Sequence, residues 1–173
     1  MIIVYILLGL IVTLLLVAAL MPKSFSVEKN VVIRKPRTEV MSYVGNLNHY
    51  SQWNPWQKMD PTAKSEIKGN PMSPGHQYHW EGKKIGIGEL RFLSSDTQHI
   101  HFDLEFFKPW KSKAKDNWHF EDWGDGSETK VTWQNGGELP WPMARLMGPM
   151  IAKNLNHQFE QGLDNLKKMV EAG

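Results

Sequence analysis

Cysteine is missing from all 173 residues. Its absence excludes disulfides, thiolate metal sites and a cysteine nucleophile, but is neutral about compartment, since a thiol-free chain suits either redox environment. An excess of one charge is missing too. Lys and Arg number 20 against 18 Asp and Glu, for a net charge of +2, and no long basic tract supplies the electrostatic footprint that nucleic acid needs. No Gly-x-Ser-x-Gly turn surrounds Ser42, Ser51 or Ser65, and no glycine-rich loop leads from a strand into a helix, so motifs for a serine nucleophile or a bound phosphate are absent. The three glycines of "GKKIGIG" fall inside a strand hairpin, where they read as twist or a bulge. No cofactor signature, internal repeat or low-complexity linker interrupts the chain.

What is present begins with "MIIVYILLGLIVTLLLVAALMP", apolar from Met1 to Pro22 except for Thr13. A hydrocarbon core needs about 20 residues of helix, and Thr13 can bond its own backbone. A secretory signal has a positive start and an apolar part of only about 7 to 15 residues. The positive start is lacking here, although Val17, Ala18 and Ala19 offer small residues for cleavage. Residues 1–22 are therefore expected to anchor the chain in a membrane, and residues 23–173 to form one domain. Lys23, Lys29, Arg34, Lys35 and Arg37 follow the span and no cation precedes it, a bias that favours a single-pass protein with its domain on the cytoplasmic side rather than the periplasmic or extracellular one.

The domain reads as strand, helix, sheet and helix. "FSVEKNVVIRKP" is β-branched and ends at Pro36. "RTEVMSYVGNL" places Val40, Tyr43, Val44 and Leu47 at helical spacing, with Thr38 positioned to cap. Six extended runs then follow, from "AKSEIKG" to "ETKVTWQNG", joined by turn-rich "NPMSPG", "SSDT" and "GDGS", as in an antiparallel meander. If "GDGS" sets Trp123 against Glu128, then Glu121 meets Lys130, Trp118 meets Trp133 and Phe120 meets Val131, with charges on one face and aromatics on the other. If "FKPWKSK" sets Phe106 against Ala114, then Glu105 meets Lys115, Asp103 meets Asn117 and His101 meets His119. From Pro142 onward, Ile151, Leu155, Phe159, Leu163, Leu166 and Val170 recur at three and four, which predicts a long amphipathic helix. Gly162 would let it approach a neighbour closely, and Pro149 predicts a bend after a short segment at Met143 to Met147.

This order of elements, carried by "VVIRKPRTEVMSYVGNLNHYSQWNPW", "HWEGKKIGIGELRF", "TKVTWQNGG" and "QFEQGLDNLKK", resembles the START-related SRPBCC superfamily, in particular its polyketide cyclase/dehydrase and lipid-transport branch. The resemblance implies an α+β helix-grip fold, in which a curved antiparallel sheet wraps the C-terminal helix around a cavity for an apolar ligand. The same shell hosts carriers, cyclases and proteins without a known ligand, so fold is implied more strongly than function.

The predicted inner sheet face carries Tyr78, Trp80, Leu90, Phe92, Phe102, Leu104, Trp118, Phe120 and Trp133. The helix adds Met143, Met147, Met150, Ile151 and Leu155, the methionines as an adaptable gate. Each residue taken alone suits filled core, yet one helix closing a broad sheet can hardly fill it everywhere, and apolar pockets with a few polar groups are the usual form of a small-molecule site. His76 and Asp116 share the inner parity and are the candidate polar groups, or else lie at strand ends in water. His99, His101 and His119 fall on the outer face and suit solvent better than a metal. No catalytic residue stands out, so the expected partner is an apolar small molecule or lipid. The alternatives are a cyclase or dehydratase using His76 or Asp116, and an interaction module with a closed core. In "SQWNPW", the proline ends a helix; Trp53 reads as a structural plug and Trp56 as the residue nearer the cavity mouth.

Overall fold

The computed structural model describes residues 1–173. Helix α1, Ile2–Leu20, is long and apolar enough to cross a membrane; such a helix serves either as an anchor or as a signal sequence. Strand β1 (Ser24–Ile33) leads into α2 (Arg37–Gly45), a 3-10 turn at Leu47–His49 and two single-turn helices, α3 (Tyr50–Trp53) and α4 (Trp56–Met59). The sheet continues with β2 (Lys64–Lys68), β3 (Gln77–Gly82), β4 (Gly86–Ser95), β5 (His99–Lys108), β6 (Ser112–Trp123) and β7 (Glu128–Glu138), and α5 (Met143–Ala172) closes the chain. The seven strands lie in the order β1-β7-β6-β5-β4-β3-β2, all antiparallel. This is a helix-grip arrangement, with α5 held against the concave face of the sheet.

The β6–β7 register pairs Trp118 with Trp133, Phe120 with Val131 and Glu121 with Lys130, as the two-faced pattern predicts. The β5–β6 register differs from the expectation by two residues. Phe106 faces Ser112, and Asp103 faces Lys115, while His101 faces Asn117 and His99 faces His119. Two charge pairs explain the preference: Lys115 with Asp103, and Lys113 with Glu105 at 3.7 Å. A slip of two keeps every side chain on its expected face. Thr38 does not cap α2, because the helix already starts at Arg37, behind Pro36.

Helix α5 also departs from expectation, since it runs unbroken through Pro149. Its inward stripe accordingly starts at Ala144 and Gly148 and continues through Ile151, Leu155, Phe159, Leu163, Leu166 and Val170. A Cβ at Gly162 would lie 2.9 Å from Trp133 Cζ3 and 3.3 Å from Pro55 Cδ. Only a hydrogen at that position lets the helix seat on the indole.

Candidate functional site

The cross-strand partners form rows across the concave face, and side-chain volume falls from row to row. Ile100, Trp118 and Trp133 make one row, and Phe92, Phe102, Asp116 and Asn135 make the next. Leu90, Leu104, Ala114 and Gly137 follow, and this row ends in almost no side chain at all. In the first two rows Trp133, Asp116 and Asn135 reach the cavity, whereas Phe92, Phe102, Trp118 and, beyond them, Phe120 are buried core rather than wall. Beyond the small row α5 spans a gap. A cavity of about 340 Å³ remains there, near the lower end of the roughly 300–1,000 Å³ found for small-molecule sites.

The expected walls divide accordingly. Tyr78, Trp80, Leu90, Leu104 and Trp133 line the cavity from the sheet, Ile151 and Leu155 line it from α5, and Trp56 stands at its side. Phe25, Tyr50, Phe106, Trp110 and Phe159, which the sequence reading did not name as walls, also line it. Phe106 and Phe159 lay on faces already marked as apolar, whereas Phe25 and Trp110 sit at a strand start and a turn, where periodicity carries no signal. Met143, Met147 and Met150 do not gate the cavity. None of the three is among the residues that line it: Met147 flanks the inward stripe and is half-buried, and Met143 and Met150 are 59% and 51% exposed.

Trp53 is buried among Tyr50, Trp118 and Trp133, edge-on to each with ring centroids 5.0 to 5.8 Å apart. It is the plug, and its indole N–H has no partner. Trp56 is less enclosed, and its N–H donates to Gln158 Oε1 at 2.9 Å. Trp133 stacks on Phe159 at 3.9 Å and on Trp118 at 4.6 Å.

Asp116 lies in the wall beneath these rings. Its Oδ1 accepts from Trp133 Nε1 at 2.6 Å and Asn135 Nδ2 at 3.1 Å, and its Oδ2 accepts from Trp118 Nε1 at 2.9 Å. No cation answers it. Burial pushes its pKa up to about 6, against the pull of the three donors. Burial, and then the Asp116 charge, hold the Tyr50 hydroxyl well above the usual tyrosine range. A carboxyl that ionises near neutrality in an apolar wall suits either of two tasks, receiving a donor group of a ligand or moving a proton.

His76 is equally buried but lies outside the cavity. Its Nε2 accepts from the Leu47 backbone N–H at 2.9 Å, which leaves Nδ1 to carry the hydrogen and donate to Lys68 O at 3.0 Å. The ring pins the 3-10 turn to the loop before β3. His76→Ala strands both backbone groups and opens a void, so a stability loss of about 2–4 kcal/mol is expected in urea unfolding. Binding in the cavity should stay unchanged.

On the outer face, His99 stacks on His119 at 4.8 Å and lies 6.0 Å from His101. Asp96 takes His99 Nδ1 at 3.0 Å. The three rings are half-buried and stacked, and they form no set of converging metal ligands.

The cavity occupies one end of the domain. The starts of β1, β2, β4 and β6 and the ends of β3, β5 and β7 all gather there, by the antiparallel order. Lys23, just beyond α1, accepts a backbone bond from Leu139 at 2.8 Å, and Leu139 lines the cavity. The apolar helix and the cavity therefore share one end.

The model of the family described as polyketide cyclase/dehydrase and lipid transport matches residues 24–171. No curated protein matches the chain. Among solved structures it is similar to a protein of Chromobacterium violaceum, with a TM-score of 0.62 and 13% identity, over 84% of this chain and 96% of that one. A protein of Nitrosospira multiformis gives a TM-score of 0.60 at 19% identity, over 83% and 94% of the two chains. CalU16 from Micromonospora echinospora gives 0.56 at 15% identity, over 85% and 76%. At such identities the likeness is one of fold.

Proposed function

This chain belongs to the polyketide cyclase/dehydrase and lipid transport family, and from that premise we propose that it is a membrane-tethered binding protein for an apolar molecule of lipid or isoprenoid kind. One observation carries the reading: the cavity between the sheet and α5 lies at the same end of the domain as the apolar helix. A ligand dissolved in the bilayer is concentrated beside a domain tethered there, so the anchor raises encounter without adding a contact. The anchor reading of α1 is supported by 19 helical residues with no charge, longer than a signal's apolar part of about 7 to 15 residues. The cations that follow it favour a cytoplasmic domain.

The experiment is mass spectrometry of purified residues 24–173, alone and after exposure to a lipid panel. Leu155→Trp fills the cavity from the α5 side and serves as control. An apolar molecule should accompany the parent protein and be lost from the variant, while thermal unfolding of the two stays within a few degrees. A parent that carries nothing and binds none of the panel overturns the reading.

A second reading, a cyclase or dehydratase acting on a hydrophobic substrate, is favoured by one observation, the buried Asp116 carboxyl in the cavity wall. It requires Asp116→Asn to abolish conversion of a bound substrate while leaving its binding intact.

A further inference from the structure

The cations of this domain are unevenly answered. At the end far from α1, Arg34 pairs with Glu171, Lys35 with Glu39, Arg37 with Asp122 and Lys130 with Glu121. Asp96, Asp125 and Glu128 add further negative charge there. At the α1 end, Lys23, Lys64, Lys83, Lys84, Lys108 and Lys111 are all exposed, and none has a carboxylate within salt-bridge distance. Their placement follows from the topology: Lys23 precedes β1, Lys64 opens β2, Lys83 and Lys84 form the β3–β4 turn, and Lys108 and Lys111 flank the β5–β6 turn. Glu81 and Glu138 lie at the same end and offset part of this positive charge without cancelling it, and the net charge of +2 conceals the polarity.

The same end carries the most exposed large apolar side chains of the domain, although Trp123 at the far end is also 43% exposed, beneath Lys130. Trp141 is 52% exposed, and Met143 and Met150 stand out from the first turns of α5. The last turns of α1 touch α5, and Ala18 is fully covered. A water-facing tip of one tryptophan and two methionines is unfavourable in a monomer, and becomes favourable where a tryptophan seats best, at a membrane–water boundary.

We propose that this end of the domain is a bilayer-docking face, in which Trp141, Met143 and Met150 enter the interface and the six unpaired lysines bind anionic lipid headgroups. The proposal rests on the reading of α1 as a membrane span. It goes beyond that reading, because a tether alone leaves the domain free to tumble, whereas the docking face turns the end of the domain that holds the cavity, with Lys84, Lys108 and Trp110 in its lining, toward the lipid. Zwitterionic headgroups present no net negative surface potential to the lysines, so docking depends on anionic lipid and weakens with salt.

The absence of native cysteine permits the test, because one introduced thiol is labelled uniquely. The full chain carrying Met143→Cys with an environment-sensitive fluorophore is reconstituted into vesicles of phosphatidylcholine alone, or of phosphatidylcholine mixed with phosphatidylglycerol. Ser127→Cys, at the acidic end, provides the reference. The label at position 143 should be shielded from an aqueous quencher in the mixed vesicles at low salt, and accessible in phosphatidylcholine or at high salt. The label at position 127 should stay accessible throughout. Replacing Lys83, Lys84 and Lys111 by Gln should lower the ratio of docked to free domain by roughly 100-fold, at about five-fold for each lysine near the surface. Equal accessibility of position 143 in both vesicles overturns the proposal, as does shielding that ignores salt and the three substitutions. Release of the chain by alkaline carbonate overturns the span itself, whereas retention with an accessible label at 143 overturns only the docking face. Neither outcome touches the cavity's ligand, which is read separately by mass spectrometry.

Discussion

Trp133→Ala should destabilise the domain by about 3–5 kcal/mol, the usual range for truncating a buried tryptophan, and the loss should appear as a lower urea midpoint with little change in slope. The ring is 1% exposed, lies against Phe159 on one side and Trp118 on the other, and meets the edge of Trp53. Its N–H is the shortest of the donors to Asp116, so truncation also leaves a buried carboxylate poorly answered. Trp133→Phe separates the two contributions. It keeps a ring on Phe159 and removes the donor, and should cost about 1–3 kcal/mol, the range for leaving a buried polar group short of a partner. Equal losses in the two variants would show that the indole N–H, not the stack, dominates. A phenylalanine variant as stable as the parent would mean that Asp116 does not need this donor.

Asp116→Asn should remove a loss of stability that the parent protein suffers as pH rises toward about 6. In the native state the carboxyl keeps its proton up to about pH 6, whereas in the unfolded chain it releases it near the ordinary aspartate value. Between those two values the native state binds more protons, so this group's contribution to stability falls as pH rises, and above pH 6 the full penalty persists. Two pH units of displacement correspond to ~3 kcal/mol. Asp96, Asp125, Glu160 and Glu171 run the other way. Hydrogen bonds from Gln98, Ser127, Lys29 and Arg34, respectively, hold their pKa values down, and their stabilisation is lost only as pH falls through those lowered values. Subtracting the asparagine variant's profile from the parent's cancels these four. The difference should fall by ~3 kcal/mol from about pH 4 to pH 7. A flat difference would mean that Asp116 is solvated, contrary to its 3% exposure.

Face was legible in the sequence, and depth was not. Strand alternation assigned Tyr78, Leu90, Leu104, Trp118 and Trp133 to the concave side because the period of two is local to each strand. Where the cavity lies depends on which residues meet across strands, and that is set by turns. The turn between Phe106 and Ser112 is two residues shorter than the expected one, which moves Ala114 from beside Phe106 to beside Leu104. That small shift creates the row ending in Ala114 and Gly137, and with it the gap. The outward methionines follow from one backbone decision as well: Pro149 is accommodated inside a 30-residue helix, so the face of Met143 and Met150 keeps the phase of the whole helix. His76 shares the inner parity, but precedes its strand, where parity no longer fixes direction. Its two backbone partners, Leu47 and Lys68, are far apart in sequence and leave no local signature.

Only Met21, Pro22 and Lys23 separate α1 from β1. Three extended residues span roughly 10 Å, and Lys23 is itself tied to Leu139. With α1 in a bilayer, such a leash rules out long-range traffic, since the domain has no reach toward a second membrane. On the proposed reading, a ligand taken up by the cavity would be either given back to the same bilayer or collected by a protein that comes to its surface, so the molecule would work as a fixed station along the membrane and not as a ferry between membranes.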